Sequence, residues 1–438
     1  MIPRYEKNEI SSIWSDQNKF KTYLKVELAV LRAMEDQGTV PKGTADQIES
    51  RAVINPQRID EIEKTVKHDI IAFCTSITEN IDAEQARFFH FGVTSSDIID
   101  TSLTLQIKES LDVIIPSLKK LKKTLFQKAV ENKDLLTIGR SHGIFAEPMS
   151  FGQKFLGYYC EFSRRLQDLQ NFYENELTAQ FSGAVGNYCI LSPAIEQEAA
   201  TLLGLKIEPV STQVIPRDRL AKLIQINGLI ASAIERLAVE IRHLHRSDVN
   251  ELHEGFDKGQ KGSSTMPHKK NPISGENLTG MARVLRSHVG IALDNIVLWH
   301  ERDISHSSTE RLYLPDNLGL LFYSLERLDK TVNNLALHND EIEAKVNQNT
   351  TYLSSYFLHF LIQSTEFKRE DLYPVVQKAS FESIQSNSHE KFFEIIADFL
   401  HENKVEAELP RPDQKTIRNI YLKNIEAVFE RAYRTYGE

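Results

Sequence analysis

The chain has 438 residues, 41% of them hydrophobic and 26% charged, with a net charge of −9. That length exceeds one compact core, and the apolar and charged fractions exclude wholesale disorder. The acidic excess argues against nucleic acid as a partner. Short apolar runs broken by charge exclude a membrane span, and the start MIPRYEKNEI lacks the apolar core of a signal peptide.

The elements predicted along the chain are overwhelmingly helical. Residues 1–94 read as an N-terminal helical region; the pattern breaks at KHDIIAF (67–73), which carries a His, and at its end at HFGVTSSD (90–97), which carries His, Gly and Ser. Residues 95–345 read as a central bundle. Its first series is Leu111, Ile114, Leu118, Leu121 and Leu125, with Pro116 expected to kink it. A second runs Phe151, Phe155, Tyr159, Phe162, Leu166, Leu169, Tyr173. The third is Ile226, Ile230, Ile234, Leu237, Ile241 and Leu244, and the fourth Leu321, Leu325, Leu328, Val332 and Leu335. Steps of three and four put each series on one helix stripe, and the near-3.5 repeat suits bundle packing. Such helices, about twenty to thirty residues long, need several partners, other chains among them. Residues 346–438 read as a smaller C-terminal helical region. Cys74, Cys160 and Cys189 are odd in number and far apart, as expected of reduced thiols in a cytoplasm.

Between the bundle helices the pattern breaks at GRSHGIFAEP (139–148), FSGAVGNY (181–188), STQVIPRDR (211–219), GQKGSSTMPHKKNPISGEN (259–277) and WHERDISHSSTER (299–311). These are read as loops, where a rigid scaffold usually carries its chemistry. The 259–277 stretch has neither the register of a phosphate-binding P-loop nor that of a nucleophile elbow. A serine hydroxyl there becomes a base only if its anion is stabilised, which backbone N–H groups and a nearby ammonium supply. Lys269 would favour a carboxylate gaining charge as a proton leaves the adjacent carbon. His142, His68 and His90 sit in irregular segments, and an imidazole is a side chain that can give or take a proton. HRSDVNELHEG (245–255) lacks a His-Glu-x-x-His spacing and is expected to continue a helix with a solvated face, so no metal site is read. Arg4, Arg217, Arg219, Arg302 and Arg311 fall in or near irregular segments, where a guanidinium fork suits carboxylate or phosphate.

Taken together these segments resemble the fumarase/aspartase superfamily, whose signature loop GSSTMPHKKNP at 262–272 matches. RY (4–5), HD (68–69), TSSD (94–97), RSHG…AEP (140–148), SGAVGNY (182–188), STQ…RDR (211–219) and WHERDISHSS (299–308) resemble its adenylosuccinate lyase family. The resemblance is good to about residue 350 and weak beyond it. It implies an all-α fold whose long central bundle assembles in a homotetramer, with active sites shared between chains. It also implies elimination of fumarate from succinylated nucleotides, a small-molecule substrate, and no metal or organic cofactor. On these positions Ser263 would take the proton from the succinyl carbon and His142 would protonate the departing nitrogen. Lys269 and Asn271 would hold the carboxylate. Lys67, His68, Asp69, His90, Thr94, Ser95 and Gln213 would contact substrate, and Arg4, Tyr5, Arg302, Ser307 and Arg311 would bind the nucleotide phosphate and its surroundings. Many relatives read Arg where Lys67 stands, and Lys keeps the charge without the bidentate geometry. A carboxymuconate cycloisomerase, an argininosuccinate lyase and a non-catalytic relative remain the alternatives.

Overall fold

The computed structural model describes residues 2–256, 259, 262–347, 350–406, 409–411 and 413–437. The chain divides into two compact units, each assembled from separate stretches. The first comprises Met1–Leu121, Phe162–Val239 and Ile273–Lys330; the second comprises Lys122–Glu161, Glu240–Pro272 and Thr331–Glu438.

The architecture is all-α, as expected. Helix α1 (Asp16–Asp36) starts at Ser15, whose side chain accepts the Asn18 N–H. Helix α2 (Pro56–Val66) is capped by Asn55 and has Pro56 in its first turn, where a missing N–H costs nothing. Helix α3 (Asp69–Thr78) follows after two residues. The long helices are α4 (Ser95–Glu131), α5 (Phe151–Asn175), α6 (Asp218–His245), α7 (Ile273–Asp294) and α8 (Ser305–Asn333). Helix α4 runs through Pro116, where a kink is expected, without interruption.

The four apolar series lie where their spacing puts them. Leu111, Ile114, Leu118, Leu121 and Leu125 are all fully buried, as are Ile230, Ile234, Leu321, Leu325, Leu328 and Val332. Truncating one such Leu to Ala costs about 2–5 kcal/mol. The second series ends differently: Phe172 is buried and Tyr173 only partly so. In the first unit, Ala221 and Ile224 of α6 pack with Ala292 of α7 and Tyr313 and Leu314 of α8.

Two stretches depart from their reading. Residues 139–148 are not a loop: strands β1 (Leu136–Ser141) and β2 (Ile144–Ser150) pair antiparallel in the second unit. The register slips between Ile138 and Arg140, a bulge where Gly139 passes so close to the Glu147 carbonyl that a Cβ would clash. The two-residue turn is His142–Gly143 with φ of +55° and +79°, the left-handed pair that a type I′ hairpin requires. Nor is HRSDVNELHEG an exposed helical continuation. Helix α6 stops at His245, Leu252–His253 pair with Ala336–Leu337, and Glu251 and Glu254 are buried. Glu251 is satisfied by a two-pronged bond from Arg140 and by Lys345 at 3.7 Å.

Among the described residues no helix is long and apolar enough to cross a membrane, and none of the three cysteines is in a disulfide.

Candidate functional site

In the second unit the signature loop folds on itself. Ser263 Oγ accepts the N–H of Met266 at 3.0 Å and that of Thr265 at 3.3 Å. Two backbone donors on one hydroxyl are placed to stabilise its anion. Asn271 Nδ2 donates to Gly262 O at 3.1 Å. A Cβ at Gly262 would stand 2.1 Å from Lys269 O, so only glycine lets the loop close. His245 Nε2 meets Lys270 O at 3.0 Å and fixes the base of the loop. Lys261, which opens the Gly/Ser stretch, lies outside the described residues. His142, in the same unit, stands exposed at the hairpin tip beside exposed Ile144 and Phe145.

The other candidate residues belong to the first unit, several of them at helix starts, where free N–H groups and the helix dipole favour anions. His68 caps α3, its Nδ1 accepting the Ile71 N–H at 3.4 Å, which leaves the proton of the neutral ring on Nε2. Thr94 and Ser95 lie at the start of α4, and the Thr94 N–H donates to Asp97 Oδ2 at 2.8 Å. Burial pushes the Asp97 carboxyl up to about 7; the N–H bonds from Thr94 and Gly183 oppose this, and the charges of Asp100 and Glu196 add to it. Lys67, which closes α2, has a left-handed φ of +55°.

Two cavities collect most of these residues. One of about 500 Å³ is lined by His68, Cys74, His90, Thr94 and Ser95. His90 Nδ1 donates to Glu27 Oε1 at 2.7 Å. Burial alone would lower the imidazole, but the bond to Glu27 and the charges of Glu27 and Asp97 outweigh it, so the net shift is upward. The other cavity, of about 320 Å³, takes in Asp69, Arg302, Ser307 and Arg311. Arg311 pairs with Asp69 at 2.6 Å, and Arg302 donates to Gln213 Oε1 at 3.0 Å. Gln213 is itself held by Ala184 O and by Gln180 Nε2. Arg302 Nε and His306 Nε2, on the wall of this cavity, are buried with no hydrogen-bond partner among the described residues, an arrangement suited to a bound group or water. Arg4 and Tyr5 line neither cavity; Tyr5 packs its ring 5.2 Å from Tyr323.

Lining the second cavity is a network that sequence spacing did not reveal. Arg217, almost fully buried, holds Asp100 with two bonds of 2.5 and 2.9 Å, Glu310 with two of 3.0 and 3.2 Å, and the Ile215 carbonyl at 2.8 Å. His306 Nδ1 stands 3.1 Å from both Arg217 and Glu310. Burial alone would lower the guanidinium, but the two carboxylates reverse this and raise it further. Glu27 was missed as well, though a carboxylate one step along the apolar run Tyr23, Val26, Val30 was a visible anomaly.

Residues 4–286 match a family model described as Lyase. A protein from Thermotoga maritima named adenylosuccinate lyase is 40% identical over 433 residues, 98% of this chain and 99% of its own. One of the same name from Bacillus subtilis is 38% identical over 434 residues, covering 98% and 99%. Among solved structures, a fumarate lyase from Mesorhizobium superimposes with a TM-score of 0.85 at 20% identity, covering 99% of each chain. A 3-carboxy-cis,cis-muconate lactonizing enzyme from Pseudomonas putida gives 0.84 at 24% identity, covering 99% and 97%. At those identities the structures speak for the fold alone.

Proposed function

Because the chain belongs to the lyase family, with the fumarase/aspartase-like fold and near-full-length similarity to adenylosuccinate lyases, we propose that it is an adenylosuccinate lyase. It splits adenylosuccinate into AMP and fumarate, and the succinylaminoimidazole carboxamide ribotide into its carboxamide and fumarate. The observation that carries this reading is 40% identity to a protein of that name across 98% of the chain.

The geometry agrees with proton-transfer chemistry, which needs no metal or organic cofactor. Ser263 Oγ takes the proton from the carbon next to a succinyl carboxylate, aided by the two N–H donors already aimed at it. Lys269 and Asn271 steady the carboxylate as its charge grows. The C–N bond then breaks, its electron pair returns to nitrogen, and His142 delivers a proton there. Arg302, Ser307 and Arg311, gathered round one cavity, suit the phosphate end of a nucleotide. His68, His90, Thr94 and Ser95 line the other, and Lys67, Asp69, Gln213, Arg4 and Tyr5 complete the proposed substrate set.

The assembly is part of the proposal. Val284, Ile291, Leu293 and Ile296 of the α7 region are exposed, as are Val297, Trp299, Ile304 and Leu312 farther on. So concentrated an apolar surface is expected to be covered by other copies of the chain. We therefore read a homotetramer whose sites draw residues from more than one chain, with His142 and Ser263 of a given site on different chains.

Side-by-side turnover of adenylosuccinate, argininosuccinate and carboxymuconate, followed by ultraviolet absorbance and fumarate release, tests the assignment. A kcat/KM highest for adenylosuccinate by orders of magnitude is expected. A preference for either competitor, or no turnover of any, overturns it.

A further inference from the structure

We infer that Glu27, Cys74 and His90 form a binding site for a thiophilic divalent cation of the zinc class, set in the wall of the cavity that also holds His68, Thr94 and Ser95. One donor atom from each residue lies within 4.8 Å of the other two, and no other such trio occurs among the described residues. The donors are a thiol, an imidazole and a carboxylate. That mixture suits Zn²⁺ over Mg²⁺ or Ca²⁺, because sulfur and imidazole ligands select the softer ion.

Each donor comes from a different element. Glu27 projects from α1 and is nearly fully buried, Cys74 comes from α3, and His90 is held at a left-handed φ of +61°. Around a tetrahedral zinc with bonds of about 2.0–2.3 Å, donor atoms stand roughly 3.3–3.8 Å apart. The Glu27–His90 contact of 2.7 Å therefore opens by less than an ångström-scale side-chain adjustment, about 0.6 Å, and Cys74 closes on the ion. A structural Glu–His pair needs only two of these groups. The third donor, converging from another helix onto the same point, is what distinguishes a ligand set from an ion pair.

Cys74 and His90 both border the cavity, whose volume of about 500 Å³ supplies an entry path and room for a water as fourth ligand. On binding, bonds form from the ion to sulfur, nitrogen and oxygen. The thiol proton leaves to solvent, and the proton that His90 Nδ1 donates to Glu27 is displaced as Nδ1 takes the ion, leaving the ring neutral with its proton on Nε2.

The consequence rests on the proposed function: His90 belongs to the substrate set, so an ion that claims it inhibits turnover. Titration of the protein with Co²⁺ reads the site directly, because a tetrahedral cobalt–thiolate centre shows a sulfur-to-cobalt charge-transfer band and strong visible bands. One equivalent per chain is expected in the native protein, with Zn²⁺ displacing the cobalt. Cys74→Ser should abolish the charge-transfer band, and Glu27→Gln should weaken binding by roughly tenfold or more. Cys74→Ala, which offers no donor, serves if the serine variant misfolds. Absence of the band in the native protein, or its survival in the Cys74 variants, overturns the site. Zinc should inhibit the native enzyme reversibly, and each Cys74 variant far less relative to its own metal-free rate. A cobalt site that forms without inhibition would leave the ion in place but overturn its coupling to turnover.

Discussion

Replacing Arg217 with Met tests the claim that the charged network lining the second cavity is a keystone of the first unit. The side chain is 2% exposed, and its partners Asp100 and Glu310 are 3% and 7% exposed. Met fills a similar volume but leaves two buried carboxylates without their cation. Breaking a buried pair in this way costs about 3–5 kcal/mol. Unfolding entropy of about 2.1 cal/mol/K per residue gives, over 438 residues, roughly 0.9 kcal/mol/K, so cooperative unfolding should move by about 3–5 °C. Circular dichroism melts at pH 7 read the shift. Arg217→Lys should lose part of it, since an ammonium cannot fork to Asp100 and Glu310 together. Adding Asp100→Asn to Arg217→Met should recover part by removing a stranded charge. A Met variant melting within about 1 °C of the native chain would refute the reasoning.

Ser263→Ala should lower kcat by about 10²- to 10⁴-fold while the dissociation constant for adenylosuccinate changes little, because a base acts on the chemical step; single-turnover and equilibrium binding measurements separate the two, and near-native turnover sinks the role. Asp97, whose carboxyl is pushed from its ordinary 3.8 to about 7, holds a proton in the folded chain that the unfolded chain has already released. Its contribution to stability is therefore lost as pH rises from about 4 through 7, by at most about 4 kcal/mol. Urea midpoints at pH 5 and pH 8 should differ less in Asp97→Asn than in the native chain, and equal slopes would contradict the shift. Lys67→Gly removes the charge while suiting the left-handed backbone, so it should raise KM more than it lowers kcat, whereas Lys67→Arg should be tolerated; unchanged kinetics for the glycine variant would place Lys67 outside the site. Inactive His142→Ala and inactive Ser263→Ala chains, mixed under conditions that exchange subunits, should regain activity that depends on mixing ratio. Hybrids shown to form yet inactive at every ratio would refute sites shared between chains.

What could be read in the sequence follows from how far apart the interacting residues lie. The bundle was legible because a helix repeats its buried face every three or four residues, and Leu111 through Leu125 needed no knowledge of their partners. The signature loop was legible for the same reason: the donors on Ser263 come two and three residues later, and Asn271 reaches back only nine to Gly262. The hairpin around His142 was hidden because the bulge at Gly139 and the proline at 148 break a strand's two-residue alternation, leaving only His-Gly as a turn signal. Long-range charge pairs leave no local trace. Arg217 meets Asp100 across 117 residues, Arg140 meets Glu251 across 111, and His90 meets Glu27 across 63. Glu251, judged by its own neighbours, reads as a solvated charge, which is why 245–255 was expected on the surface while Glu251 lies buried. A charge is buried only where its counter-charge arrives by tertiary folding. Such residues become visible in advance only when, like Glu27, they interrupt an apolar stripe that itself announces burial.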